Sequence, residues 1–369
     1  MMRKVKNQVL YLPHELIIQI LLRLPVKSLI RFKCVCKSWF SIISFDPQFA
    51  NSQFQLTAAT HTHRAMIISI VSPHETLSID LEESLDDDNA SVSLNPNFLA
   101  SGIAIKGSCR GFILLHCSSS LSLWNPSTGV YTNIPSGYNL DADADADAEN
   151  FYGFGYDQST DDYLIVSISS DTDSSYLEFF SIRANTWKQI DPGTYIHHTN
   201  TIVDDDPRVG LFFNGAIHWF AHFLDLEKKV IVAFDLMERK LLDMHFPDQF
   251  ISELDYCGLW VFREFLSLWS MNYSNDTVQI WVMKEYKLHS SWTKTHVLPS
   301  DTSSTLYFFP LHCTKRGDIV GVDDNTILMK YNDDGQLLEH RSYDNDPCGY
   351  HVTMYTESLL SLPGDDVQA

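Results

Sequence analysis

The stretch that decides the fold is Phe151–Ile190, FYGFGYDQSTDDYLIVSISSDTDSSYLEFFSIRANTWKQI. Four apolar runs lie within it, FYGFGY, YLIVSI, YLEFFSI and TWKQI, separated by connections rich in Asp, Ser and Thr. Runs this short, loaded with aromatic and β-branched residues and bounded by turn formers, read as strands rather than helices.

The same grouping of four recurs downstream. VGLFF, AIHWFAH, VIVAFDL and KLLDMHF form one group, and YCGLWV, FLSLWSM, TVQIWVM and SWTKTHV the next. A last group holds TLYFFPLHC, DIVGV, NTILMKY and QLLEH. The third run of each group ends before a polar turn, at Trp124, Ser181, Phe234, Met283 and Tyr331, with spacings of 57, 53, 49 and 48. Without the nine-residue acidic insert Asp141–Glu149 the first spacing also falls to 48. A four-strand unit repeating at about 50 residues is the signature of propeller blades, each burying its faces against its neighbours. Residues 62–95 and the C-terminal run Val352–Thr356 then supply a shared closing blade, for about six in all. An antiparallel β-sandwich also gives alternating short strands and stands as the alternative.

Upstream the pattern changes. Leu12–Ile43, LPHELIIQILLRLPVKSLIRFKCVCKSWFSII, places apolar residues at Leu16, Ile17, Ile20, Leu21 and Leu24, a stripe at helical spacing. Pro13 suits the first turn of this helix and Pro25 stops it. A second helix is expected from about Val26 to Lys37, a third short one around Trp39, Ile42 and Ile43, and a last turn over Gln48–Gln55. Such a unit is too small to bury enough surface alone, since below about 40 residues outside help is needed. The expected architecture is therefore a small all-α domain, residues 8–55, followed by an all-β propeller-like domain, residues 62–360.

Charge divides at the same place. The net charge is -21, yet residues 1–50 carry eight Lys/Arg against two Asp/Glu, leaving a net of -27 on the remainder. An acidic body of this size repels nucleic acid and anionic membranes, so neither is an expected partner. A basic protein target suits it. Seven Cys without close pairing, no secretory leader and no apolar run near the ~20 residues of a membrane span point to a reducing compartment, cytoplasmic or nuclear.

Two sets of motifs resemble known families. Leu12-Pro13-x-Glu15, the core Ile20-Leu21-x-Arg23-Leu24-Pro25-Val26-Lys27-Ser28-Leu29 and Val35-Cys36-Lys37-x-Trp39 together resemble a plant-type F-box. Cys109-Arg110-Gly111-Phe112, Leu123–Gly129, Gly153–Asp157, Asn214–Trp219, Phe234-Asp235-Leu236 and Trp292-Thr293-Lys294 resemble the kelch-like F-box-associated domain, over roughly residues 100–340. One departure is Leu254–Leu259, where the family's paired glycines appear as a single Gly258. The paired glycines of true kelch blades are also missing, so kinship with kelch rests on period alone.

The resemblance implies a substrate-recognition subunit of a Skp–cullin–F-box ubiquitin ligase. The F-box would bind a Skp-type adaptor, and through it cullin and RING subunits, while the β domain captures a target protein for degradation. By position the implied adaptor-binding residues are Leu12, Pro13, Ile20, Leu21, Leu24, Pro25, Leu29, Val35 and Trp39, some of which must instead be internal core. The layout is also similar to the S-locus F-box group, whose targets are basic ribonucleases. A scaffold working outside the ligase is the alternative function.

No catalytic residues, cofactor site or metal site is expected. Asp141–Glu149 lacks the Gly-enabled turn of a calcium loop and reads as a solvated acidic loop. Asp86-Asp87-Asp88 and Asp204-Asp205-Asp206 read as loops between blades. His197-His198 and Cys34-x-Cys36 each lack the further ligands of a zinc site. No nucleophile elbow, Walker loop or dinucleotide fingerprint occurs. His218-Trp219 and Trp281 are expected in blade core.

Overall fold

The structure, a computed structural model, describes residues 12–58, 63–69, 76–94, 96, 103–117, 120–137, 151–170, 175–192, 209–223, 228–248, 250, 257–272, 277–299, 308–323, 327–343 and 350–364. The insert Asp141–Glu149, His197-His198, Asp204–Asp206 and Leu254-Asp255-Tyr256 lie outside these. The chain divides into two compact units, Met1–His61 with Ser358–Ser361 and Thr62–Glu357 with Leu362–Ala369.

Among the described residues the first unit has four helices, α1 (His14–Leu21), α2 (Val26–Phe32), α3 (Lys37–Phe45) and α4 (Pro47–Ala58). Pro13 and Pro25 occupy the N-cap positions of α1 and α2. Both hold the extended backbone from which a helix can start without needing an N–H of their own. The second helix stops at Phe32 and does not reach Lys37. Cys36 turns extended, with φ -161, and its Sγ accepts the Trp39 N–H at 3.5 Å, which begins a separate helix. Asp46 starts α4 in the same way, its Oδ1 accepting the N–H groups of Gln48 and Phe49 at 3.0 and 3.1 Å. This last helix is 12 residues long, more than the single turn read from Gln48–Gln55. Leu21, Leu22, Val26, Leu29, Ile43 and Phe49 are buried, and Gln53 Nε2 donates to the Leu24 carbonyl at 3.2 Å.

The second unit is a six-bladed propeller of four-stranded antiparallel sheets. The first blade holds β1 (His63–Ser69), β2 (Thr76–Asp80) and β3 (Ser91–Leu94). The second holds β4 (Ile103–Cys109), β5 (Phe112–Cys117), β6 (Ser120–Trp124) and β7 (Tyr131–Ile134). The third holds β8 (Phe151–Asp157), β9 (Asp162–Ser170), β10 (Ser175–Ser181) and β11 (Thr186–Ile190). The fourth holds β12 (Leu211–Phe213), β13 (Ala216–Phe223), β14 (Lys228–Asp235) and β15 (Lys240–Met244). The fifth holds β16 (Cys257–Phe262), β17 (Phe265–Asn272), β18 (Thr277–Met283) and β19 (Trp292–Pro299). The sixth holds β20 (Phe309–Cys313), β21 (Ile319–Val322), β22 (Ile327–Tyr331) and β23 (Leu337–Ser342). The C-terminal strand β24 (Tyr350–Thr356) returns to the first blade and pairs with β1 from His63↔Thr356 to Ser69↔Tyr350. The expected six-blade array with a shared closing blade is what the chain forms, and a sandwich is not.

The third strands end at Trp124, Ser181, Met283 and Tyr331 as the sequence predicts, and at Asp235, one residue past Phe234. A recurring turn explains the regularity. Asn125, Ser181, Asp235 and Asn332 each accept a following backbone N–H on the side chain. The residue closing each turn has a positive φ: Gly129 77°, Asn185 50°, Arg239 57° and Gly335 77°. A short acceptor side chain opens the turn and a left-handed residue reverses the chain into the fourth strand. Asp86–Asp88 belong to the corresponding connection inside the first blade rather than between blades, where Asp87 caps Asn89 at 2.9 Å.

Apolar cores lie between blades. Phe151, Leu164 and Val166 pack with Ile217, Trp219 and Val232 across the third and fourth blades. Trp260, Phe262 and Ile280 pack with Ile319 and Met329 across the fifth and sixth. Strands sandwiched on both faces need no polar side, which is why the runs read as continuously apolar. Tryptophans also tie neighbours together by indole N–H bonds: Trp187 to the Pro135 carbonyl at 2.7 Å, Trp219 to Tyr152 at 2.9 Å, Trp260 to Leu311 at 3.1 Å. Gly153 and Gly258 let the indoles approach. A Cβ on Gly258 would lie 2.3 Å from Trp269 Nε1, and one on Gly153 would lie 2.4 Å from Ile217.

Candidate functional site

On the helical unit, burial sorts the residues that the sequence had left undivided. Leu21 and Leu29 have no exposed surface and form core, whereas Leu24 and Trp39 are half-buried. Leu12 is 57% exposed, Ile20 50% and Val35 58%, and both Pro13 and Pro25 are exposed. Leu16, also 50% exposed, sits one helical turn before Ile20 and continues its stripe. Helix α1 is thus apolar on two faces, one turned inward through Leu21 and the other exposed through Leu16 and Ile20. The sequence marked both as one wide stripe, because periodicity counts apolar residues without knowing which side is covered.

Two cysteines thought of together behave separately. Cys36 caps α3, Cys34 lies in the turn between α2 and α3, and both are exposed. Among the described residues no three His, Cys, Asp or Glu side chains gather as metal ligands would. No helix among them is long and apolar enough to cross a membrane.

On the propeller, the innermost strands surround a channel of about 820 Å³. Its walls come from β4, β12, β16, β20 and β24. Arg110 and Arg263, both with positive φ, stand at the ends of β4 and β16 and line it. Arg110 stacks on the Tyr156 ring at 3.9 Å, and Arg263 pairs with Asp333 at 2.7 Å. Burial pushes the Cys109 thiol in this wall up to about 12, so it stays protonated and unreactive.

His218, Trp219 and Trp281 are buried, in agreement with the sequence reading. Burial holds the His218 imidazole down to about 4, with its bonds to the Leu211 carbonyl at 3.1 Å and the Tyr286 hydroxyl at 2.9 Å completing its surroundings. His312 is also lowered by burial, opposed by its 3.1 Å contact to Glu82. That contact joins the sixth blade to the first, beside Lys330 Nζ on the Glu83 carbonyl at 2.9 Å and the Leu85 N–H on Glu339 at 2.7 Å.

Inside the first blade a buried arginine completes the ring. Arg64 Nε donates to Ser78 Oγ at 2.6 Å, and Nη2 donates to the carbonyls of Ser78 at 2.9 Å and Ala90 at 3.2 Å. Asp80 and Glu357 carboxylates lie 3.4 and 3.8 Å from the guanidinium. The Tyr355 hydroxyl bonds Ser78 Oγ at 2.7 Å, which links β24 into the same network. The sequence carried no signal for this residue, since a single Arg in an apolar run has no periodicity.

Comparison with known proteins places this geometry. Residues 9–49 match the F-box domain, and residues 55–332 match the F-box associated beta propeller domain. An F-box/kelch-repeat protein of Arabidopsis thaliana is 29% identical over 306 residues, covering 79% of this chain and 80% of its own length. The F-box protein CPR1 of the same plant is 26% identical over 388 residues, covering 96% of this chain and 90% of its own. Among solved structures, apo AztD from Citrobacter koseri overlaps 80% of this chain and 99% of its own at a TM-score of 0.38 and 8% identity. The chain belongs to the plant F-box proteins that carry an F-box-associated β-propeller.

Proposed function

We propose that this protein is the substrate-recognition subunit of a Skp–cullin–F-box ubiquitin ligase, working in the cytoplasm, the nucleus or both. The observation that carries the reading is that Leu12, Leu16, Ile20 and Val35, four large apolar side chains of the F-box, are left exposed, as are Pro13 and Pro25. Several large apolar side chains left exposed on so small a unit suit a protein interface. A Skp-type adaptor is the partner that face suits, and its docking would connect the chain to cullin and RING subunits. The net of +6 on residues 1–50 favours an acidic partner there, through faster encounter.

The propeller would hold a target protein, and holding it close to a charged ubiquitin-conjugating enzyme supplies the rate gain by proximity. This chain then contributes no covalent chemistry. The -27 carried after residue 50 favours a target with a basic surface.

The test is co-purification with a Skp-type adaptor. Leu16→Asp with Ile20→Asp abolishes binding while leaving the melting temperature unchanged, because both side chains are exposed. Leu21→Ala, in contrast, lowers stability by about 2–5 kcal/mol through a core cavity. Full adaptor binding by the folded double variant would overturn the assigned face. Adaptor binding without ubiquitin transfer to any co-purified protein would leave a scaffold role instead.

A further inference from the structure

We propose that the C-terminal segment Ser358–Ser361 is a built-in part of the F-box unit, so that the F-box is complete only in a chain whose propeller ring has closed. The consequence for adaptor docking rests on the ligase reading above. The packing itself does not.

The helical unit has a small core of its own. From Leu12 to Ala58 its large buried apolar side chains are Leu21, Leu22, Val26, Leu29, Ile43 and Phe49. A unit of this size is marginal on so few. A further piece comes from the other end of the sequence. Ser358–Ser361 belongs with Met1–His61 in one compact unit, while the residues on either side of it, Thr62–Glu357 and Leu362–Ala369, form the other. Within the segment Leu359 and Leu360 are 7% and 5% exposed, and Ser358 has no exposed surface.

Neither a helix nor a strand accounts for that burial, since Ser358–Ser361 lies outside both. Its local shape is set by Ser358 Oγ, which accepts the Leu360 N–H at 2.9 Å. A short hydroxyl side chain makes such a turn with its own backbone. Ser361 is exposed, so the apolar part of the segment is the two leucines. Removing them from water is the driving force that holds the segment in the helical unit.

The closing strand delivers them. β24 pairs with β1 as far as His63↔Thr356, and the Glu357 carboxylate lies 3.8 Å from the Arg64 guanidinium. Helix α4 ends at Ala58 and β1 begins at His63. The antiparallel pairing therefore returns the C-terminal end to the point where the chain left the helices. Beyond the segment the chain is held again at Leu362, which is 3% exposed and belongs to the second unit. Ring closure thus keeps the two leucines at a high effective concentration beside the helices.

The order of synthesis gives this arrangement a use. The F-box is made first and its last piece nearly at the end. A truncated chain, or one whose ring is open, lacks the two leucines, and its helical unit spends less time in the docking form. Adaptor affinity falls by that fraction. Docking then favours receptors whose target-holding domain is finished.

The experiment uses the full chain carrying Leu359→Ser with Leu360→Ser, read by hydrogen exchange and by titration with a Skp-type adaptor. Amides of α1–α4 should exchange at least about tenfold faster, and adaptor affinity should weaken by about tenfold. Exchange in β17 and β18 stays as in the parent, which shows that the propeller is still folded. Leu359→Met with Leu360→Met restores both readouts, and Ser361→Asp behaves as the parent. Arg64→Met, which loosens β24 without altering the segment, moves both readouts in the same direction as the serine variant. Parent-like helix exchange in the serine variant overturns the proposal, as does faster exchange with undiminished adaptor affinity. Loosened β24 with parent-like helices in Arg64→Met overturns the link to ring closure. A parent that binds no Skp-type adaptor faults the ligase reading instead, and helix exchange in the same variants then decides the packing.

Discussion

Replacing Arg64 by Met removes the guanidinium that ties the C-terminal strand into the first blade while keeping most of the side chain's volume. The variant leaves the Ser78 and Ala90 carbonyls without this donor and takes the guanidinium away from the Asp80 and Glu357 carboxylates. Removing one partner from a buried charged network costs about 3–5 kcal/mol, because the remaining groups stay desolvated. The two carboxylates retain some contact with water, at 14% and 20% exposure, so the low end, about 3 kcal/mol, is the appropriate value. At about 2.1 cal/mol/K per residue over a domain of roughly 300 residues, that lowers the melting temperature by about 5 °C. The assay is thermal unfolding by circular dichroism together with hydrogen exchange. Protection should fall first in Tyr350–Thr356, since β24 is the strand that loses its anchor. A melting temperature within about 1 °C of the parent, with β24 protection intact, would refute the closing role assigned to Arg64.

Gly258→Ala should destabilise the propeller by about 1–3 kcal/mol, measured by thermal melting, because the new methyl meets the Trp269 indole at 2.3 Å. Gly129→Ala should cost less than that overpacking, since its φ of 77° is strained for Ala but nothing lies within 4 Å of the added carbon. Acid should weaken the fold in part through His218. Its folded pKa of about 4 lies below its ordinary value of 6.5, so its contribution is complete above 6.5 and lost as pH falls toward 4. Chemical denaturation across that window should show up to roughly 3 kcal/mol less pH dependence in His218→Gln than in the parent.

Much of this was legible in the sequence, and particular residues show why. The turns after Trp124, Phe234 and Tyr331, and the one that begins at Ser181, recur because these blades reverse direction with the same local chemistry. Local chemistry leaves a local signature. The break between α2 and α3 was not legible, because Lys33, Cys34 and Val35 are compatible with helix, whereas the chain turns extended at Cys36, which caps a separate helix by accepting the Trp39 N–H. The Arg64 network joins residues far apart in the chain, Ser78 and Tyr355 being 277 positions apart and Glu357 lying further still from Arg64. No spacing within a segment could announce it.

The sequence by itself determined the blade period, the closing of the ring by its last strand and the division between a basic helical unit and an acidic β unit. Each is encoded in the order of apolar and polar residues along the chain, which fixes how strands and helices alternate whatever they later touch. Tertiary structure alone decided which face of α1 is core through Leu21 and which is open through Leu16 and Ile20. It also decided that β4, β12, β16, β20 and β24 converge on one channel while β8 stays out of its wall. Burial and convergence depend on distances between residues far apart in the chain, and those distances exist only once the blades have closed into a ring.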